Sequence, residues 1–260
     1  MLSPLACCGV WGMTHPRHHP ETAHTSGLAL AIAGKSSYLG RMTDKVSVDI
    51  VADLVCPWCW LGKRNWDAAR KLVPEIPVET VWRPYQLDPD LPRAGRPYGE
   101  YMKAKFSGEN TERWAQMRAH LEQAAPEAGI EFRFDAIPIR PNTLNAHRVL
   151  RWAAGQGVEN AAAEGLFRAF FADSRDIGDT QTLSQIAGAA GLDDELIAEL
   201  LSSDQDEKPI REEEAFFRKL GVTGVPTYIF NGRFAVSGAQ EPRILADAIR
   251  QAASEPAESD

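Results

Sequence analysis

The sequence predicts an α/β fold in which a small sheet is begun by a β-α-β unit, interrupted by a long helical stretch and completed by a β-β-α unit. Three observations predict it. A strand of period two, from residue 46, hands over to a proline-led helix at residue 57, and a second strand follows. The region from about residue 98 to 220 reads as a succession of helices with short breaks. After it, strand patterning returns around an Asn231-Gly232 turn and a last helix closes the chain.

Each element has a local reason. In "VSVDIVADL", Val46, Val48 and Ile50 alternate with Ser47 and Asp49, the signature of a half-buried strand. Pro57 opens "PWCWLGKRNWDAARKLV", which stops before Pro74; proline suits a first helical turn, where its missing N–H would have no partner. "PVETVWRPY" is the second strand. In "TERWAQMRAHLEQAA", Trp114, Met117 and Leu121 recur at helical spacing. "NTLNAHRVLRWAA" puts Leu144, His147, Val149 and Leu150 near one face, and "TLSQIAGAAGL", "DDELIAELLSS" and "REEEAFFRKLG" continue the pattern. The last of these carries its acids early and its bases late, which complements the helix dipole and marks a solvated face. The closing elements are a strand at 227–230, the Asn-Gly hairpin turn, a strand at 233–236 and a helix at about 242–253.

Two sheet segments about 140 residues apart in sequence must fold together, with the helices as an insertion between them. That is a thioredoxin-like fold, with residues 43–84 and 222–260 as its core and 85–221 as an all-helical insertion. Residues 1–42 differ: they hold four of the six histidines, Cys7 and Cys8, and no sustained period. Their apolar run "LALAIA" is barely long enough for a secretory signal, and the small-residue box would lie inside it. They read as a disordered extension, or one that translation from Met42 would omit.

Composition removes several classes of function. Hydrophobic residues make up 44% and charged residues 25%, ordinary for a globular protein. No apolar run reaches the ~20 residues of a membrane helix. A net charge of −8 with no basic stripe argues against nucleic acid as a partner. Four cysteines in 260 residues make no disulfide scaffold and suit a reducing compartment, so a cytoplasmic location is expected.

The chemistry concentrates in "DLVCPWCWLG". Zinc needs four ligands, and the only other cysteines are vicinal and in the leader, so no metal site is expected. A structural disulfide across three residues closes a tiny loop and stabilises little. The remaining reading is a redox dithiol. Cys56 falls at or just before the first turn of a helix, where free N–H groups and the dipole favour a thiolate. Cys59 lies one turn on, in place to resolve a mixed disulfide on Cys56. Cys56 is therefore expected to be the more acidic and the more exposed thiol, with Pro57 and Trp58 beside it. Trp58 offers a bulky face and an N–H but no charge. Farther along, "TGVPT" places Val225, Pro226 and Thr227 at the entry to a strand, where a cis bond and an ordinary edge-strand entry are both open readings. His147 reads either as a cleft residue or as a satisfied interior or surface histidine, and the second is the default. Trp82, Tyr85 and Leu87 read as core.

A strand, "CPWC", a helical insertion and "GVPT" before a hairpin together resemble the DsbA-like branch of the thioredoxin superfamily. More closely, "CPWCWLGKR", "WRPYQLDP", "PNTLNAHR" and "GVPTYIFNGRFAVSGAQ" resemble the FrnE-like oxidoreductases, over about residues 46–253. The resemblance implies a protein disulfide oxidoreductase or isomerase with Cys56 as nucleophile, Cys59 as resolving thiol and Pro226 as a cis-proline facing them. It also implies that Val225 and Thr227 flank a cleft for a protein or small-molecule thiol or disulfide. No cofactor is implied beyond glutathione as a redox partner, and the chain is expected to act as a monomer or homodimer. The foldable region has no second cysteine pair, which excludes a second-dithiol mechanism. Kappa-class glutathione transferases and 2-hydroxychromene-2-carboxylate isomerases resemble the same domain but carry serine at the place of Cys56. They define the alternative, a glutathione-linked isomerase or transferase of a small aromatic molecule.

Overall fold

In a computed structural model of the chain, which describes residues 45–108 and 110–254, β1 (Val46–Ala52) runs through the centre of a four-stranded sheet. The expected leader, with Cys7, Cys8, its histidines and the start at Met42, lies outside the described residues. β2 (Val78–Pro84) pairs parallel to β1, with Trp82 opposite Ile50. On the other side β5 (Thr227–Phe230) pairs antiparallel, with Tyr228 opposite Ile50, and β6 (Phe234–Ser237) forms the outer edge. The order β2-β1-β5-β6 joins the two ends of the chain in one sheet. The predicted alternation in β1 is real: Val46, Val48 and Ile50 are buried and Ser47 is exposed. Asn231 and Gly232 take positive φ values of 50° and 68°, the hairpin geometry that an Asn-Gly pair adopts at low cost.

α1 (Pro57–Lys71) follows β1 directly and packs beside α9 (Pro242–Ser254). Trp66 anchors it: the ring stacks on Tyr228 with centroids 5.7 Å apart, and its indole N–H donates to Thr80 Oγ1 at 3.2 Å. Truncating a tryptophan so placed would cost about 3–5 kcal/mol.

Between β2 and β5 come α2 (Tyr98–Lys105), α3 (Asn110–Ala124), α4 (Leu144–Ala154), α5 (Glu159–Phe171), α6 (Thr180–Ala190), α7 (Asp194–Leu201) and α8 (Glu207–Lys219). The thioredoxin-like architecture read from sequence, one sheet with a helical insertion between its halves, is therefore present. The insertion is not purely helical, however. β3 (Arg96–Pro97) and β4 (Ile139–Arg140) form a two-residue antiparallel ladder. Pro92, Pro97, Pro138 and Pro141 break helical hydrogen bonding there. Gly95 turns the chain with a φ of 71°, and a Cβ on it would lie 2.5 Å from the Arg140 carbonyl oxygen.

The insertion is locked to the sheet unit by specific pairs. Trp82 meets Phe167 of α5 at 6.0 Å between centroids. The Trp60 indole N–H and Arg64, both on α1, donate to Glu164 of α5 at 3.2 and 2.6 Å. Arg218 of α8 donates to Tyr85 Oη at 2.9 Å and to the Gln86 carbonyl at 2.6 Å. α3 reaches the start of α1, where the His120 ring lies tilted at 42° against Trp58 with centroids 5.3 Å apart.

Candidate active site

The site is built at the handover from β1 to α1. After β1 the backbone turns, and the Cys56 N–H donates to the Asp53 carbonyl at 3.1 Å. Cys56 is the N-cap of α1, with extended φ and ψ of −98° and 114°, and Pro57 is the first helical residue. The N–H groups of Cys59 and Trp60 close the first turn on the Cys56 carbonyl at 3.0 and 3.4 Å. Both thiols are free. Cys56 is the more exposed of the two thiols only by a narrow margin, and both are buried: Cys56 is 3% and Cys59 1% exposed. The cover on Cys56 comes from far along the chain, where its thiol donates to the Val225 carbonyl at 3.7 Å. Trp58 is half-buried under His120.

Their acidities diverge. Cys56 is held below the ordinary thiol value, first by a hydrogen bond from the Cys59 thiol. Burial opposes this, while the N–H groups of Cys59 and Trp58 add to it. The leading donor is thus the partner thiol, with the helix N–H groups in support. Cys59 is pushed well above the ordinary value, first by burial, then by its hydrogen bond to Cys56 and the charge there. The Asp53 backbone N–H pulls it back only in part, and the Asp53 carboxylate raises both thiols.

The opposite wall is the loop into β5. The Val225–Pro226 peptide bond is cis. Pro226 lies against α1 at Gly62, where an added Cβ would stand 2.9 Å from Pro226 Cγ. Thr227 is buried, and its hydroxyl donates to the Gly224 carbonyl at 2.8 Å. The structure thus brings Cys56, Cys59, Val225 and the Pro226 loop to one place, with Pro57 and Trp58 at its rim.

Beneath the dithiol is a polar layer. Asp53 Oδ2 accepts the Leu87 N–H at 2.8 Å, and Oδ1 faces His147 Nε2 at 3.5 Å. His147 is therefore an interior residue, but one turned toward the site. Its helix begins after Thr143, the N-cap, and just before the cap Asn142 Oδ1 accepts the Leu144 N–H at 3.0 Å. Buried Arg140 donates to the Val55 carbonyl at 2.9 Å and to Asp88 at 2.6 Å, fixing the residue just before Cys56. Sequence reasoning missed Asp53 and Arg140. An acid on the last turn before the dithiol was the available signal for Asp53. Among the described residues no three His, Cys, Asp or Glu side chains gather as a metal cluster.

Fold and site together define a thioredoxin-fold protein that carries a dithiol at the N-terminus of its first helix. The sequence profile of the DSBA-like thioredoxin domain matches residues 47–250. The chain belongs to that family of thiol–disulfide oxidoreductases. Its structure is similar to that of a probable DsbA oxidoreductase of Streptomyces coelicolor, at 29% identity and a TM-score of 0.74, over 83% of this chain and 93% of that one. An uncharacterized protein of Bacillus subtilis, YwbO, is 25% identical over 209 residues, 78% of this chain and 96% of that protein. The fold, at 16% identity and a TM-score of 0.59, is also that of a 2-hydroxychromene-2-carboxylate isomerase, over 79% of this chain and 95% of that one.

Proposed function

We propose that the protein exchanges thiols and disulfides through a mixed disulfide on Cys56 that Cys59 resolves. One observation carries this reading: two free cysteines share one helical turn, the first as N-cap and the more acidic, against the Val225 carbonyl. The Cys56 thiolate attacks one sulfur of a client disulfide, and the other client sulfur leaves as a thiolate. Cys59 then attacks Cys56 and releases the second client thiol, leaving Cys56–Cys59 oxidised. Trp58 and Pro57 flank the approach on one side and Val225, Pro226 and Thr227 on the other. The client is a protein or small-molecule disulfide, met by a monomer or homodimer. In a cytoplasm poised between about −220 and −320 mV the dithiol stays reduced and works as a reductase or isomerase, with glutathione as its redox partner.

Cys59→Ser tests this. Mixed with glutathione disulfide, that variant should accumulate a glutathione adduct on Cys56 that a reductant removes, while the unaltered protein should not. The second reading, supported by the fold shared with a 2-hydroxychromene-2-carboxylate isomerase, is glutathione-linked isomerisation or conjugation of a small aromatic molecule. It takes over if Cys59→Ser keeps full turnover with glutathione and an aromatic substrate.

A further inference from the structure

α8 packs on α4 and β2 and buries Ile210, Glu214 and Phe217. Its outer face carries Phe216, and Leu220 at its C-cap, 55% and 59% exposed. They are the two most exposed large apolar side chains among the described residues. Four positions apart, they lie on one ridge of the helix, which also carries Lys208 and Glu212. Beside that ridge is a groove of about 390 Å³, open to solvent and lined by Asp204, Glu207, Lys208, Arg211, Glu212 and Ala215. A lone exposed apolar side chain needs no explanation, but two on one ridge next to a groove do.

Charge divides the same face in two. Asp204, Glu207 and Glu212 stand toward its N-terminal end, while Arg218 and Lys219 close its last turn. Lys208 lies among the acids but is paired with Glu212 at 3.6 Å. A second copy of this face, turned end for end, sets acids against bases and opposes the two helix dipoles. A copy laid parallel sets like charge against like. Put the two-fold axis level with Ala215 and Phe216, and Phe216 covers the small Ala215 of the second copy. Leu220 then runs along the stem of that copy's Arg211, and Lys219 faces its Glu212. Two-fold symmetry supplies each contact a second time. The Arg211 guanidinium beside the Phe216 ring adds a cation–π attraction.

We propose that the outer face of α8 docks a second copy of this chain, as an antiparallel helix pair centred between Ala215 and Phe216. The pairing is independent of the thiol chemistry. One helix pair buries less than the ~1,200 Å² at which standard interfaces begin, so the dimer is weak and forms as concentration rises. The rival occupant is a client protein, because only a short loop separates Leu220 from Val225 beside the dithiol. A charge pattern that complements itself under two-fold rotation fits a second copy. It offers no match to a client of unrelated sequence.

Sedimentation velocity of the full chain, over about a hundredfold range of concentration, tests this. The mean mass should rise from the 28.6 kDa of one chain toward twice that value. Phe216→Glu sets a carboxylate beside Glu212 of the second copy and should hold the protein as single chains throughout. Glu212→Lys turns the facing pair repulsive and should weaken association about threefold or more, since an exposed pair is lost twice over. Adding Lys219→Glu reverses both charges and should restore association, which a merely sticky patch would not do. Single chains at every concentration overturn the proposal, as does association that Phe216→Glu leaves unchanged. A Phe216→Glu variant of unchanged mass that reduces dithiobis-nitrobenzoate normally but a protein disulfide slowly also overturns it, and assigns the face to a client. Should Phe216→Glu misfold, the charge variants decide, and failure of Lys219→Glu to rescue Glu212→Lys overturns the pairing.

Discussion

The Cys56 thiol and the Val225 carbonyl meet at 3.7 Å, although 169 residues separate them in sequence. Cys56 belongs to the opening unit of the sheet and Val225 to the closing one, so the dithiol is walled only when both halves have paired on β1. The same contact covers Cys56. On the mixed-disulfide reading proposed above, a client that reaches Cys56 replaces the Val225 carbonyl as its neighbour and meets a backbone acceptor already aimed at the sulfur.

The acidity of Cys56 should depend on Cys59 more than on the helix. The Cys59 thiol is the leading cause of the lowered value, ahead of the N–H groups. A thiolate is the reactive form, so a lowered value brings alkylation to its plateau at lower pH. Cys59→Ala removes the donor and should move the midpoint for iodoacetamide labelling of Cys56 upward, toward an ordinary thiol. Cys59→Ser keeps an O–H donor and should move it less. A midpoint in Cys59→Ala at or below that of the unaltered protein would assign the effect to the helix terminus instead.

The local parts of this picture were legible from sequence, because they rest on local rules. Val46, Val48 and Ile50 announce β1, Pro57 announces the start of α1, and Asn231-Gly232 announces the hairpin. α5 gave no separate signal: Ala162, Ala163, Leu166, Phe167 and Phe170 are all buried, which blurs the one-sided pattern that periodicity detects. The β3–β4 ladder is two residues long and has no period to read. The burial of Cys56 and the meeting of Asp53 with His147 depend on segments brought together across the insertion. A pattern along the chain carries no distance across it, so the depth at which both thiols lie was not legible and His147 looked like ordinary filling.

Gly62 should tolerate no side chain. It sits on the buried face of α1, and an added Cβ would lie 2.5 Å from Tyr228 Oη and 2.9 Å from Pro226 Cγ. Tyr228 is fully buried and stacked on Trp66, so it has little room to yield. Gly62→Ala should cost about 1–3 kcal/mol, the usual range for overpacking, read as a lower urea midpoint. The Tyr228 hydroxyl has no hydrogen-bond partner among the described residues, so adding Tyr228→Phe should restore part of the loss. Strictly additive effects of the two changes would show that the clash is with Pro226 alone.

Arg140 should be needed for both folding and the site. It donates to the Val55 carbonyl and pairs with Asp88, so Arg140→Ala strands a buried carbonyl and leaves Asp88 only its bonds from Tyr101 and Lys105. The expected loss is about 3–5 kcal/mol, less what solvent at the partly exposed Asp88 returns. Burial pulls the Asp88 carboxyl upward, but the charges of Arg140 and Lys105 outweigh it and hold the group below its usual value. A depressed carboxylate contributes stability above its unfolded value and loses it as pH falls through the folded one. The unaltered protein should therefore lose stability in acid more steeply than Arg140→Ala does. Parallel acid profiles would remove Arg140 as the cause. Arg140→Lys keeps the charge but not the fork, and should fall between them.

At the alkaline end the sign reverses. Burial pushes the Tyr98 hydroxyl from its ordinary value of 10.0 up to about 12. Its ring is buried, edge-on to Phe170 at 6.3 Å between centroids. In the unfolded chain the phenol ionises first, so between about 10 and 12 the unfolded state binds fewer protons than the folded one, and stability falls as pH rises. A tenfold difference in acidity between the two states is worth about 1.4 kcal/mol, so the titration of this one residue removes roughly 2–3 kcal/mol across that window. Tyr101, also raised to about 12 by burial, adds to the loss, as do Cys59 and Tyr228, both held above their ordinary values first by burial. Urea unfolding followed from neutral pH upward should show a decline that is shallower in Tyr98→Phe than in the unaltered protein. The two curves should run parallel below about pH 10, where phenols are protonated in both states. If they also run parallel above it, Tyr98 ionises without unfolding the chain, and the ring is less firmly buried than its packing against Phe170 indicates.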